Sequence, residues 1–174
     1  AGFWSLHQLE EQVQHAQLSF EDGVFEDFRN IGVLIERGIQ PLVRELLDHV
    51  RIITSNVSAK AVREMDFGQV VSELIDSAIV MRTAWELPPF GVRITQWRNV
   101  AQHQSFFVNG NQIDVTYGKF PKQANVSLNQ NELRSLYLQV AALFNALHAA
   151  RAMFAFNNLT DITNSVGPVP IRSE

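Results

Sequence analysis

Apolar residues recur at every third or fourth position through most of this chain, and that period, the spacing of one helix face, constrains the fold more than any other feature. Phe3, Leu6, Leu9, Val13, Ala16 and Phe20 lie on one stripe and predict a first helix over residues 3 to 20. Phe25, Phe28, Ile31 and Leu34 or Ile35 repeat the pattern up to Gly38, which stands where a glycine cap would end a second helix near Arg37. Pro41 suits the first turn of a third helix, because its missing N–H has no partner there, and Leu42, Leu46, Leu47, Val50 and Ile53 carry that helix to about Thr54. Beyond a polar loop at Ser55 to Lys60, the stripe Val70, Val71, Leu74, Ile75, Ala78, Met81 and Trp85 predicts a largely buried fourth helix, stopped by Pro88-Pro89. Ile94, Trp97 and Ala101 then predict a short helix from about Val92 to Gln104.

From Ser105 the period changes. Ser105 to Val108 and Gln112 to Tyr117 read as two strands around Asn109-Gly110-Asn111, a β-hairpin with an Asn-Gly turn, and Ala124 to Leu128 is a candidate third strand. Asn129 and Glu132 have capping-box spacing, and Leu133, Leu136, Tyr137, Val140, Leu143, Phe144, Leu147 and Phe154 predict the longest helix, ending near Asn157. The expected fold is mainly all-α. It is an antiparallel bundle of about five to six helices, with a small β-hairpin insertion between the short helix and the last long one. One domain is expected over residues 1–161, with a flexible Pro/Gly-containing tail at 162–174. The chain opens on Ala1 and its first methionine is Met65, so it is expected to belong to a longer protein.

With 46% hydrophobic and 18% charged residues the chain can bury a core, which excludes a disordered tail. The absence of cysteine excludes disulfides, thiolate catalysis and Cys-based zinc sites. No apolar run approaches the roughly 20 residues of a membrane span, and the start lacks the basic-then-apolar layout of a secretory signal, so a cytoplasmic protein without membrane partners is expected. The net charge of −4 argues against coating nucleic acid by charge alone, since such binding depends on neutralising many phosphates at once.

The charge is unevenly spread. Between Gly91 and Arg134 the cations Arg93, Arg98, Lys119, Lys122 and Arg134 face only Asp114 and Glu132, a local balance of +3 against −7 elsewhere. A basic window on an acidic body suits a phosphate-bearing strand, and Arg93, Lys119, Lys122 and Arg134 are its candidate RNA contacts. Inside the window, Arg98-Asn99-x-x-x-His103 gathers a fixed cation, an amide and a titratable imidazole. Asn99 and His103 are one helical turn apart, and the long Arg98 can reach toward the same spot. Arginine offers forked donors to phosphate oxygens, and histidine exchanges protons near neutral pH. RNA carries its own nucleophile, so such a site needs no metal or cofactor. The plain alternative is a helix-end histidine that caps the last carbonyls.

The motif, between a set of helices on one side and a hairpin with a final amphipathic helix on the other, resembles the HEPN superfamily, whose signature is Arg, four to six residues, then His, with a polar residue commonly after the Arg, as Asn99 is here. The resemblance implies a metal-independent endoribonuclease of toxin or antiviral-defence type, with two protomers facing their Arg/His sets into one cleft. It implies that Arg98 binds the scissile phosphate, that His103 transfers protons, and that Asn99 orients either of them. Partners would be RNA, a second copy, and an antitoxin or a fused or upstream domain. Some members of the family are non-catalytic dimerisation, sensor or nucleotide-binding domains, which is the alternative reading. Gln102 departs from the family's usual small residue before the His.

Overall fold

The computed structural model describes residues 19–54, 60–77 and 82–158. The first helix expected over 3–20 falls outside them except at its last two residues, as do most of the 55–60 loop and the 162–174 tail. The described chain is mainly helical, with two small antiparallel sheets.

Helix α1, Phe20–Val33, starts at Ser19, whose hydroxyl accepts the Asp22 N–H at 3.2 Å. Glu21 and Asp22 add negative charge where the helix dipole favours it. The second and third expected helices are one. A π-helical turn, Leu34–Ile39, joins α1 to α2, Gln40–Thr54, without a break. Gly38 is therefore no cap, and it is not among the residues with positive φ. Its smallness serves packing instead, because a Cβ there would meet the Phe144 ring at 2.9 Å. Pro41 is tolerated because the hydrogen-bond ladder is already widened: the Gln40 N–H reaches five residues back to the Ile35 carbonyl.

Helix α3, Phe67–Ser77, opens with a reciprocal cap in which the Asp66 carboxylate accepts the Gln69 N–H at 2.8 Å and the Gln69 side chain accepts the Asp66 N–H at 3.1 Å. It buries Val70, Val71, Leu74 and Ile75. A two-armed Arg51–Glu73 pair, at 2.6 and 2.7 Å, ties it to α2. The expected fourth helix is seen over Phe67–Ser77, its Ala78 to Met81 portion lies outside the described residues, and Arg82–Trp85 is a four-residue helix, α4. Pro88-Pro89 does more than stop a helix. It turns the chain so that β1, Glu86–Leu87, pairs with β2, Val92–Arg93.

Helix α5, Ile94–His103, buries Ile94, Trp97 and Val100, and lies so close to α1 that a Cβ on Gly32 would meet the Ala101 Cβ at 3.0 Å. It ends in a left-handed residue, Gln104, with the Ser105 N–H returning to the Val100 carbonyl at 3.1 Å. The expected hairpin is a three-stranded meander: β3, Phe106–Asn109, β4, Gln112–Lys119, and β5, Lys122–Leu128. Its first turn is Gly110-Asn111 rather than Asn109-Gly110, since Asn109 pairs with Gln112, and only Gly110, the first turn residue, has positive φ, as in a II′ turn. Ile113, Val115 and Leu128 face the core, and the Phe106 ring stacks on Phe28 at 4.3 Å.

Helix α6, Gln130–Asn157, has the expected capping box, with Asn129 accepting the Glu132 N–H at 3.0 Å and Glu132 accepting the Asn129 N–H at 2.8 Å. Leu133, Leu136 and Val140 anchor its first half. Among the described residues no helix is long and apolar enough to cross a membrane.

If Gly38 serves close packing rather than a turn, Gly38→Ala should cost about 1–3 kcal/mol by overpacking, measured by urea unfolding, and most of that cost should vanish in a Phe144→Leu background. Equal losses in both backgrounds would assign Gly38 a backbone role.

Candidate functional site

The Arg-Asn-x-x-x-His segment occupies the second half of α5. Trp97, fully buried, fixes which side of that helix faces inward. Arg98, next in sequence, has a side chain 25% exposed, and its Nη2 donates to Glu36 Oε1 at 3.1 Å. Its Nε is buried, with no hydrogen-bond partner among the described residues. Glu36 sits on the π-helical turn and also pairs with the side chain of Gln102, one turn after Arg98 on α5. The Arg98 hydrogen bond, and then the one from Gln102, holds the Glu36 carboxyl below the usual carboxylate range, against a smaller opposing effect of burial.

Asn99 and His103 form a second one-turn pair, rotated about 100° around α5 from Arg98 and Gln102. His103 is exposed and closes the helix, and Asn99 is half-buried. Neither hydrogen-bonds to another described side chain. The three motif residues thus share one short helix but not one contact: Arg98 is committed to Glu36, while Asn99 and His103 are open. Gln102 serves here as the second holder of Glu36. Sequence reasoning passed over Glu36 altogether. Its only signal was a carboxylate inside an apolar stripe, at a place read as the end of a helix.

The basic window divides in three dimensions. Arg93 lies 3.7 Å from Glu86, which also pairs with Arg82 at 3.2 Å. Arg98 pairs with Glu36. Lys119 and Lys122 face each other at the exposed β4–β5 tip, and Arg134 is exposed on α6. An open cleft of about 370 Å³ beside the end of α5 is lined by Phe25, Phe106, Gln104, Asp22, Glu26 and Arg29, among others. Arg29 is spent on Glu26, through Nε at 2.9 Å and a second shorter contact, so the cleft keeps the charge of Asp22 and does not suit phosphate. The isolated histidines are packing groups: His49 Nδ1 meets the Glu45 carbonyl at 2.7 Å with its ring edge-on to Phe154, and His148 is edge-on to Phe144. His7 and His15 lie outside the described residues.

No family model matches the chain, nor does any curated protein or solved structure.

Because the folded-state value of Glu36 is depressed, its contribution to stability is present above the ordinary carboxylate value and is lost as pH falls through the lowered one. Glu36→Gln should therefore melt below the parent at pH 7, and the gap should narrow below about pH 4. A gap that stays constant from pH 7 to pH 3 would show that the ion pair contributes nothing.

Proposed function

We propose that this chain is a HEPN-like helical-bundle domain of a cytoplasmic, metal-independent endoribonuclease of toxin or antiviral-defence type, acting as a homodimer. The observation that carries the reading is the arrangement along α5: a guanidinium oriented by Glu36, followed by an amide and an imidazole that both remain open. A guanidinium has five N–H donors, and Glu36 engages Nη2, so Nη1 remains for a phosphate oxygen. His103, on the exposed end of α5, can take the proton from an RNA 2′-hydroxyl or return one to the leaving 5′-oxygen. The second copy supplies the other of these roles.

The 2′-oxygen attacks phosphorus, the bond to the 5′-oxygen breaks, and Arg98 stabilises the added negative charge on the phosphoryl oxygens. One fragment then carries a 2′,3′-cyclic phosphate, or the 3′-phosphate formed when water opens it, and the other a 5′-hydroxyl. Asn99 orients the phosphate or the imidazole. An antitoxin or a fused or upstream domain would restrain such an activity.

The second reading is a non-catalytic dimerisation, sensor or nucleotide-binding domain of a larger protein. It is favoured by the engagement of Arg98 with Glu36 and by the acidic lining of the neighbouring cleft.

The discriminating measurement is cleavage of varied RNA, including structured RNA, in EDTA with fragment ends identified. Cyclic or 3′-phosphate ends are expected, with loss of at least about 100-fold in His103→Ala, the scale of one general acid–base group. Cleavage equal to the parent in that variant, or none by the parent, would favour the non-catalytic reading.

A further inference from the structure

We propose that the β4–β5 tip, Lys119-Phe120-Pro121-Lys122, is a docking point for single-stranded RNA beside the motif helix, an inference that rests on the RNA-directed reading above. Phe120 is 86% exposed, more than any other large hydrophobic side chain among the described residues. Packing does not explain a phenyl ring held in water. Lys119 and Lys122 are direct cross-strand partners, and like charges so placed destabilise a sheet. Both are exposed, and neither has a carboxylate within ion-pairing distance among the described residues. A phosphate between or beside the two ammonium groups would relieve that repulsion, while the ring offers a face to a base.

The tip is held rather than loose. Gly118 has a φ of 93°, and a Cβ there would stand 2.7 Å from the Lys122 carbonyl oxygen, so the backbone at the base of the tip requires glycine. The Gly118 N–H donates to Gln96 Oε1 at 3.2 Å, which fastens the tip to the first turn of α5. Gln96 and His103 are seven residues apart, so they lie on nearly one stripe of that helix, about 10 Å apart along its axis. A strand held at the tip is thereby led along α5 toward His103.

The chemistry favours RNA over a lipid surface. On β4 and β5 the outward face of the sheet is polar, with Thr116 bonded to Asn125 at 2.9 Å and Ser127 bonded to Asp114, and the other exposed ring, Phe107, lies on β3 opposite Asp114, away from the tip. One phenyl ring is a small apolar area for a membrane, whereas a ring flanked by two ammonium groups is sufficient for one nucleotide.

The test uses the full chain carrying His103→Ala, so that the probe stays intact, and measures anisotropy of a labelled single-stranded RNA over a salt series. Phe120→Ala should weaken binding about tenfold with the salt slope unchanged, and Phe120→Trp should restore it. Lys119→Gln with Lys122→Gln should reduce the slope of log K against log salt by about 1.4, since each phosphate contact contributes about 0.7 on a single strand. Thermal melting should be unchanged in the Phe120 variants, because the side chain is exposed. Parent-like binding by Phe120→Ala and by the double lysine variant, absence of RNA binding by the parent, or a loss seen with anionic vesicles and not with RNA would each overturn the proposal. Cleavage by the His103-intact chain is read separately. Tip-dependent binding without cleavage removes the nuclease reading alone, and cleavage with tip-independent binding removes this inference alone.

Discussion

One turn of helix, Leu34–Ile39, carries constraints on which much of the rest depends. Its inward residues, Ile35 and Ile39, are fully buried in the core. Its small residue, Gly38, lets α6 approach until the Phe144 ring lies where a Cβ would be. Its charged residue, Glu36, reaches Arg98 and Gln102 on α5. A regular α-helix advances 100° per residue, and the wider π turn changes that rotation locally, resetting which side chains face α5 and which face α6. Insertions of this kind cost hydrogen-bond geometry and are often found at functional sites. Here the turn joins two packing contacts and one ion pair through six residues.

Among the described residues, five glutamates hold six arginines. Arg29, Arg51, Arg82, Arg93, Arg98 and Arg151 each meet a glutamate. Apart from the part-buried Arg51–Glu73 pair, such surface pairs contribute about 0–1 kcal/mol, so their larger effect is on orientation. The Arg98–Glu36 pair illustrates it: a carboxylate 62 residues earlier in the chain holds the guanidinium in one direction. The lysines of the β4–β5 tip are treated differently, set opposite each other beside an exposed ring. A charge balance counted along the sequence merges these two uses of positive charge, although one is satisfied internally and the other faces outward.

Elements whose signals are local were legible in the residues alone. The capping box at Asn129 and Glu132, the long apolar stripe of α6, the shift from a period near four to a period of two at Ser105, and the helix bearing Arg98 and His103 all follow from contacts within a few residues. Where two explanations of one residue type compete, sequence could not choose. Gly38 fits a helix cap and a close helix crossing equally well, and Pro41 fits a helix start and a widened turn. Pro88-Pro89 fits both a stop and a reversal. The third strand was only a candidate because Lys122 to Ser127 shows little alternation, most of it being exposed.

The candidate site divides along the same line. That Arg98, Asn99 and His103 share a short helix was determined by sequence, because helical spacing is a property of the chain itself. That Arg98 turns to Glu36, 62 residues earlier, and that Phe120 stands in water between two lysines set opposite each other, was decided only by tertiary structure. Periodicity specifies which residues share a face, and packing alone specifies what that face meets.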